Sequence, residues 1–180
     1  MRVISGSARG LKLLSPEGLD TRPTTDRVKE SLFNILQPYI PCDAVLDLFS
    51  GSGALGIEAL SRGCEKAVFV ESSVNALAVT EKNIEKARFL SRAKIIKSEA
   101  LAFLSECHER FDIIFLDPPY DKGLLEPVFE KIFTGKLLSP DGIIAVETKH
   151  DGEKIENGNF EIIKYAKYGK SAVSIFRLRS

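Results

Sequence analysis

The sequence predicts an α/β protein in which a mostly parallel sheet carries helices on both faces. Between residues 44 and 147, apolar runs of strand length alternate with segments of helical periodicity, which is the pattern of repeated strand–helix–strand units. The first run leads into a glycine-rich turn, Gly51-x-Gly53-x-x-Gly56. A later run, residues 113–116, is continuously apolar, which favours a strand buried on both faces.

The composition is that of an ordinary globular protein. With 180 residues, 44% of them hydrophobic and 28% charged, one domain spanning residues 1–180 is expected. The amino terminus has no long apolar run, so neither a signal peptide nor a membrane span is predicted. Three scattered cysteines and two isolated histidines lack metal-ligand spacing. These features predict a cytoplasmic protein with reduced thiols and no metal.

A net charge of zero conceals basic ends around an acidic middle. Residues 1–36 carry a net charge of +2, residues 37–163 of −7 and residues 164–180 of +5. This distribution indicates a polyanion held by the two ends, with a different ligand on the central part. Ordinary surface charge explains values of this size equally well.

The first 21 residues predict a basic hairpin, with short strands at residues 3–4 and 11–14 around a turn that contains glycine. Arg2, Arg9 and Lys12 lie in this segment. Arginine reaches phosphates, and glycine permits close approach of the backbone, so the hairpin suits a phosphate backbone. A plain edge hairpin fits the same residues.

The next stretch reads Arg22-Pro-Thr-Thr-Asp-Arg27 and precedes an amphipathic helix over residues 28–36. Thr25 or Asp26 is a suitable N-cap for that helix. The two arginines beside the cap remain available for an anionic ligand.

The glycine-rich turn has the surroundings of an adenosine site. A buried strand precedes it, a helix follows it, and Glu71 stands 20 residues after Gly51 at the end of a second strand, residues 67–71. An acid at that offset bonds ribose hydroxyls. Asp47, inside the first strand, would repel a pyrophosphate but attract an adenosyl ligand with a free amino group and a sulfonium. The strand-end acids Asp47, Glu71 and Asp117 therefore favour a cationic ligand over NAD.

The apolar run over residues 113–116 stops at Asp117-Pro-Pro-Tyr120. Two prolines end the strand and hold the residue before each of them extended. This corner presents a carboxylate, backbone carbonyls and an aromatic ring at a carboxyl strand end, where open α/β sheets bind ligands.

The remaining pattern completes the sheet. We predict a helix over residues 72–89, a strand over 94–97, a helix from 98 through 104, a helix over 124–133, a strand over 142–147 and a terminal antiparallel pair over 160–166 and 172–178. Glu99 or its neighbouring amides suit the edge of an adenine ring, and a helix N-cap region explains them equally well.

Asp47-Leu-Phe-Ser-Gly-Ser-Gly53, Glu71 and Asp117-Pro-Pro-Tyr120 resemble the S-adenosylmethionine-dependent amino-methyltransferases in order and spacing. With Arg22-Pro-Thr-Thr-Asp-Arg27, and with Arg2-Val-Ile-Ser-Gly and Arg9-Gly-Leu-Lys ahead of it, the whole chain resembles the RsmD family. The resemblance implies a Rossmann-like class I methyltransferase fold with a seven-stranded sheet and S-adenosylmethionine as cofactor. It implies methylation of the exocyclic amino group (N2) of one guanine in bacterial small-subunit (16S) ribosomal RNA. The partner would be 16S rRNA or the small subunit, and we expect a monomer.

The resemblance also implies roles for individual residues. The catalytic set is Asp117, Pro118, Pro119 and Tyr120, in which Asp117 and Pro118 hold the target amino group and Tyr120 stacks on the flipped base. The cofactor set is Arg22, Thr24, Asp47, Phe49, Gly51, Gly53, Glu71, Glu99 and Ala100, with Glu71 on the ribose and Glu99 on the adenine edge. The RNA-binding set is Arg2, Arg9, Lys12, Arg27 and Lys170. At Glu99 the family more often has aspartate.

Other functions fit parts of the sequence. The Asp-Pro-Pro-Tyr motif also suits a DNA adenine-N6 or cytosine-N4 methyltransferase, or one acting on protein amide nitrogen. Against DNA as the substrate, the chain lacks room for a separate target-recognition domain, and the amino-terminal segment resembles the RNA family. Asp47 and the absence of a catalytic His, Lys or Tyr set argue against an NAD-dependent oxidoreductase. A non-catalytic RNA-binding factor on the same fold stays open.

Overall fold

A computed structural model describes residues 1–16, 26–119, 123–149 and 157–179. The strands are β1 (Ala44–Asp47), β2 (Lys66–Glu71), β3 (Ala93–Lys97), β4 (Phe111–Leu116), β5 (Leu138–Lys149), β6 (Phe160–Tyr168) and β7 (Ser171–Leu178). The helices are α1 (Asp26–Ile35), α2 (Ala54–Ser61), α3 (Val74–Lys86), α4 (Ala100–Glu106) and α5 (Leu125–Thr134), with short 3-10 turns at Gln37–Tyr39 and Leu90–Arg92.

The seven strands form a sheet with the order β3-β2-β1-β4-β5-β7-β6. Strands β1 to β5 pair in parallel, and β7 is antiparallel to both β5 and β6. The chain builds outward from β1 to β3 and then returns to β4 on the other side of β1. The gap between β1 and β4 is therefore a topological switch point, where open α/β sheets bind ligands. The predicted fold, with its antiparallel carboxy-terminal edge, is confirmed.

Several predicted boundaries are wrong, and for two of them the structure gives the reason. The fifth strand begins at Leu138 rather than at residue 142, because Leu138 already pairs with Phe111 and the register shifts before Ile113 pairs with Ile143. Helix α3 is shorter than predicted, since Ser73 is its N-cap and accepts a hydrogen bond from the Ala76 N–H at 3.4 Å. In β5, residues 140–142 read Pro-Asp-Gly, which is typical of a turn. The sequence therefore predicts a later start for this strand.

The sheet separates two apolar cores. One lies under α1, α2 and α3, and the other under α4 and α5. Neighbouring strand residues alternate between them, so that Val45 belongs to the first core and Leu46 to the second. Residues 47 and 117 continue the alternation onto the α1–α2 face. The acids at these strand ends therefore share one face of the sheet.

Residues 1–16, called the arm below, form a short hairpin that belongs to the packed fold. Arg2 and Lys12 make an antiparallel bridge, and the Val3 N–H donates to the Leu11 carbonyl at 2.9 Å. Val3 and Leu13 are buried in the core under α1 and α2. Deleting the arm would therefore remove core side chains together with its basic residues.

A buried ion-pair network fastens the arm to α2. The Glu58 carboxylate accepts hydrogen bonds from the backbone N–H groups of Ile4 at 2.8 Å and Ser5 at 3.0 Å. It also lies 3.1 Å from Lys29 Nζ and 2.8 Å from Arg62 Nε. The side chains of Lys29 and Glu58 are both fully buried. Burial lowers the pKa of Lys29, and the neighbouring Glu58 opposes that change.

Gly6 brings the arm into direct contact with the last residue of α2. Its φ of +84° is in the left-handed region, and a Cβ there would lie 1.8 Å from the Ser61 carbonyl oxygen. Ser61 Oγ in turn accepts from the Ala8 N–H at 2.9 Å and donates to the Ser5 carbonyl at 2.6 Å. Only glycine fits at this position.

Two of the three cysteines meet at the amino-terminal edge of the sheet. Cys42 and Cys64 are free thiols whose Sγ atoms lie 2.9 Å apart. The contact follows from strand pairing, because Ala44 is in register with Lys66. Their spacing of 22 residues in the chain does not indicate it.

Candidate functional site

The glycine-rich turn after β1 is held by side chains from β2 and α3. The Glu71 carboxylate accepts hydrogen bonds from the N–H groups of Gly51 at 2.9 Å and Ser73 at 2.8 Å. Thr80 Oγ1 donates to the Gly51 carbonyl at 2.8 Å. Glu71 stays half-buried, and each carboxylate oxygen has a further lone pair for a hydroxyl donor. The geometry is thus compatible with the predicted ribose contact.

Asn83 of α3 ties the same turn to the arm. Its Nδ2 donates to the Ser52 carbonyl at 2.8 Å and to the Leu14 carbonyl at 3.0 Å, and its Oδ1 accepts from the Leu14 N–H at 2.8 Å. No pattern in the sequence indicated a role in the site for this residue. A polar residue among the apolar positions of a helix indicates a buried hydrogen bond. The sequence does not show that its partners are Ser52 and Leu14, which lie far away in the chain.

The third glycine of the motif serves packing. A Cβ on Gly56 would lie 2.4 Å from the ring of Phe69 on β2, so a side chain would push α2 away from the sheet. Gly51 and Gly53 have φ values of +53° and +76° and make the tight turn that the motif predicts. The Gly56 N–H remains directed at the end of β1.

Asp47 at the end of β1 receives that N–H. Its Oδ2 lies 3.0 Å from the Gly56 nitrogen, and the residue is buried, with 3% of its surface exposed. Burial raises the pKa of Asp47 to about 7, against the hydrogen bond from Gly56, and the negative Glu71 nearby adds to the rise. A cation at this point would stabilise the ionised carboxylate.

Asp117 follows β4 directly and lies next to a second acid, Glu147 of β5. Leu116 pairs with Val146, so Asp117 and Glu147 are level with each other and lie on the same face of the sheet. Burial raises the pKa of Asp117 well above its usual range, and the negative Glu147 and Asp47 raise it further. Glu147 was not predicted as a site residue, although an acid at the end of a predicted apolar strand is a usable signal.

The other predicted cofactor residues lie at the same edge where they can be located. Glu99 is exposed at the start of α4, and the neighbouring Ser98 N–H donates to the Glu71 carbonyl at 3.2 Å. Ala100 is buried and Phe49 is half-buried. Arg22, Thr24 and Tyr120 lie outside the described residues.

The five predicted RNA-binding residues do not form one patch. All five are exposed. Arg2 lies beside α1, with Nε 3.4 Å from Asp26 Oδ2, and Arg27 follows that aspartate. Arg9 belongs to the turn of the arm that contacts the last residue of α2, away from the carboxyl ends of the strands. Lys12 lies opposite Arg2 in the hairpin, and Lys170 belongs to the β6–β7 hairpin at the β6 edge of the sheet.

The donor set at this edge suits a cationic organic ligand. Asp47 and Asp117 are acids whose pKa values rise on burial, and a pyrophosphate beside them would add further negative charge. Within the described ranges, no group of three or more His, Cys, Asp or Glu residues could hold a metal ion. None of the helices in these ranges is long and apolar enough to cross a membrane.

The strand order, with β7 inserted between β5 and β6, defines a Rossmann-like class I methyltransferase fold. The solved structure of yhhF from Escherichia coli superposes with a TM-score of 0.88 at 36% identity and covers 99% of this chain and 97% of its own.

The family follows from the sequence comparisons. The chain belongs to the family described as Conserved hypothetical protein 95, whose model matches residues 1–177. The Ribosomal RNA small subunit methyltransferase D of Haemophilus influenzae is 41% identical over 169 residues, which cover 91% of this chain and 86% of that protein. YlbH of Bacillus subtilis is 39% identical over 183 residues, covering 99% of this chain and all of its own. The resemblance to the RsmD family is confirmed.

Proposed function

We propose that this protein transfers a methyl group from S-adenosylmethionine to the exocyclic N2 amino group of a specific guanine in bacterial 16S rRNA. Membership of a family with small-subunit rRNA methyltransferases supports the substrate class. The observation that carries the chemistry is the Asp117-Pro118-Pro119 corner at the switch point, beside the buried Asp47. Such a substrate makes the cytoplasm the site of action.

The edge that carries Asp47 and Glu71 would hold the cofactor. Glu71 would bond the ribose, the Gly51–Gly53 turn would lie against the methionine part, and Asp47 would face its positive charge. When bound, S-adenosylmethionine supplies a methyl group on a sulfonium. Ionised Asp47 and Asp117 are stabilised by that positive charge, which opposes the rise in their pKa values.

Asp117 and Pro118 would prepare the target nitrogen. The lone pair of guanine N2 is delocalised into the ring, so the amino group is a poor nucleophile. If the Asp117 carboxylate and the Pro118 carbonyl each accept one N–H, the nitrogen is drawn toward a tetrahedral geometry and its lone pair is aligned. Alignment of reactants is worth about 7–11 kcal/mol in well-oriented models. Methyl transfer would form the N–C bond as the S–C bond breaks, and the amino proton would then leave to Asp117 or water.

The target guanine must leave its stack to reach this corner. Extruding a base costs a few kcal/mol, and an aromatic platform recovers part of that cost. We assign the platform to Tyr120, which follows the prolines. We expect the protein to act as a monomer, because a single chain supplies both the corner and the platform for the extruded base.

Product analysis tests the proposal. The protein is incubated with labelled S-adenosylmethionine and small subunits from cells that lack this activity, and the rRNA is digested to nucleosides. We expect N2-methylguanosine as the labelled product. Label in adenosine, cytidine or protein would contradict the assigned target.

Two variants separate chemistry from cofactor binding. Asp117→Ala should lower methyl transfer by roughly 10²–10³-fold or more, the range for loss of one positioned hydrogen-bonding group, while calorimetry still detects cofactor binding. Glu71→Ala should weaken cofactor affinity. Near-normal turnover of Asp117→Ala, or unchanged affinity of Glu71→Ala, would disprove the respective role.

A further inference from the structure

Cys42 and Cys64 lie outside the site described above, at the opposite edge of the sheet. Cys42 precedes β1 and Cys64 precedes β2, whereas Asp47 and Glu71 stand at the carboxyl ends of the same two strands. Both cysteines are free thiols, and no step of the proposed reaction uses them. Two thiols in contact can be joined by oxidation within one chain, which is a reaction that a single thiol cannot undergo.

The backbone places the two cysteines level with each other. The Glu65 N–H donates to the Cys42 carbonyl at 2.9 Å, and the Lys66 N–H donates to the Asp43 carbonyl at 3.0 Å. The parallel pairing of β1 with β2 therefore begins beside these cysteines. Residues opposite each other on neighbouring strands are roughly 5 Å apart. This separation is within the Cα distance of about 4.4–6.8 Å that a disulfide requires.

The two side chains also lie on the same face of the sheet. Cys64 is fully buried in the core under α1, α2 and α3, and the half-buried Cys42 packs against that core. The two Sγ atoms lie 2.9 Å apart, roughly 0.9 Å more than the length of a disulfide bond. Small side-chain rotations are therefore enough to join them, without movement of β1 against β2.

The surroundings favour a thiolate on the buried cysteine. The hydrogen bond from Cys42 lowers the pKa of Cys64, against its burial, and the positive Arg92 nearby adds to the decrease. Arg92 is fixed there because its Nε donates to the Glu65 carbonyl at 3.0 Å and its Nη2 to the Leu60 carbonyl at 3.1 Å. The same contact between the thiols, together with burial, raises the pKa of Cys42. Cys42 is thus the accessible thiol, and Cys64 is the better nucleophile beside it.

We propose that Cys42 and Cys64 form a reversible disulfide when the folded protein meets a low-molecular-weight disulfide, such as oxidised glutathione, or a peroxide. In the first step, Cys42 loses its proton, forms a mixed disulfide with one half of the reagent and releases the other half as a thiol. The Cys64 thiolate then attacks Cys42 Sγ and releases the second half. The protein gives up two electrons and two protons, and the reagent is reduced to two thiols.

A peroxide leads to the same bond. It converts Cys42 into a sulfenic acid, and the attack of Cys64 then releases water. With either reagent the first step should limit the rate, because little of Cys42 is present as thiolate.

The bond would close the chain around the cofactor-binding turn. The segment between residues 42 and 64 contains β1, the glycine-rich turn and α2, and a cross-link across such a loop restricts the unfolded chain. The acids of the site lie at the far ends of the strands. The bond should therefore stabilise the fold and leave cofactor binding unchanged, so the inference does not depend on the proposed function.

Mass spectrometry of the oxidised protein tests the pairing. Folded Cys107→Ser protein, which keeps only the two paired thiols, is incubated with oxidised glutathione, alkylated in denaturant and digested. We expect both thiols to be lost together, with a loss of two hydrogen atoms from the intact mass. One linked peptide pair should contain residues 42 and 64, and dithiothreitol should restore both thiols.

Thermal unfolding measures the consequence of the bond. The oxidised protein should unfold roughly 5–10 °C above the reduced protein, the shift expected from closing a loop of this length in a chain of this size. Cys42→Ser and Cys64→Ser are the matched controls, since each removes one partner. Neither should form the linked peptide pair or show the shift, and Cys42→Ser suffices if loss of the buried thiol prevents folding.

Four results would overturn the proposal. One is that both thiols of the folded protein stay free under conditions that oxidise the denatured chain. Another is glutathione that remains attached to Cys42 in the wild type, because it would show that Cys64 cannot reach that sulfur. Disulfide-linked dimers would assign the reactivity to contacts between chains. A lower unfolding temperature of the oxidised protein would show that the bond distorts the fold.

Discussion

Acids on one face of the sheet lie in two opposite electrostatic environments. Glu58, in the middle of α2, is surrounded by Lys29, Arg62 and the backbone N–H groups of the arm. Asp47 and Asp117, at the strand ends, have raised pKa values because burial and neighbouring acids disfavour their ionised forms. The first acid has its compensating charge within the chain. The second pair is suited to receive one from a ligand.

The charges that surround each acid distinguish a structural acid from a ligand-binding one without reference to any sequence motif. A buried charge that is fully paired fixes the position of the groups around it, and removing one partner is costly. Buried acids that raise each other's pKa are characteristic of functional sites. Glu58 and Asp47 are both buried, so burial alone does not distinguish the two environments. The nature of the neighbours does.

The largest effect is expected from breaking the scaffold acid. Glu58→Ala leaves the fully buried Lys29 without its carboxylate and frees two N–H groups of the arm, so we expect a loss of about 3–5 kcal/mol in unfolding free energy. Urea denaturation measures it. Combining Glu58→Ala with Lys29→Met removes both charges and should recover part of the loss. A single variant as stable as the wild type would mean that the network does not hold the arm.

Asp47→Asn should act in the opposite direction on the free protein. The folded pKa of Asp47, about 7, is above its ordinary value of 3.8, so between these pH values the folded state binds more protons than the unfolded state. Stability therefore falls as pH rises through this window. We expect Asp47→Asn to stabilise the free protein at pH 8 by about 1–3 kcal/mol, since one pKa unit is worth about 1.4 kcal/mol.

The same variant should weaken cofactor binding, because the negative charge that would face the sulfonium is gone. Thermal unfolding at pH 5.5 and pH 8, with and without S-adenosylmethionine, measures both effects. Greater stability of the wild type at pH 8 than at pH 5.5, with an unchanged pH dependence in Asp47→Asn, would contradict the assignment.

Local patterns were enough to predict the fold and the centre of the site. Alternating strands and helices predict the sheet, and the residues around Asp47, Gly51 and Asp117 each carry their signal within a few positions of the chain. The Lys29–Glu58 pair and Asn83 were missed because the residues they contact lie 29 to 69 positions away in the chain. Neither an apolar period nor a turn signal reports which two helices meet. Glu147 is a different case, because the strand that contains it was predicted. The sequence lacked only the register between β4 and β5, which places Glu147 beside Asp117.

The smallest effect concerns Glu147 and sharpens the comparison most. If the negative charge of Glu147 helps to raise the pKa of Asp117, Glu147→Gln should lower that pKa. The pKa of Asp117 is raised, and its ionised form is both the stronger acceptor for the guanine amino group and the form that can take the amino proton. Activity should therefore fall as pH drops through this pKa, and in the variant this fall should move to lower pH. The change at neutral pH should stay within about tenfold, the effect of one pKa unit on a protonated fraction.

The pH dependence of kcat/KM on rRNA, which reports groups of the free enzyme, measures the shift. Asp112 offers a matched control, because it ends no strand and accepts the N–H groups of Asp43 and Ala44 at the other edge of the sheet, at 3.0 Å each. Asp112→Asn should leave the profile in place. The contrary result is a fall in activity that moves to higher pH in Glu147→Gln. It would show that Glu147 stabilises the ionised form of Asp117. The two acids would then share a proton instead of repelling each other as separate charges.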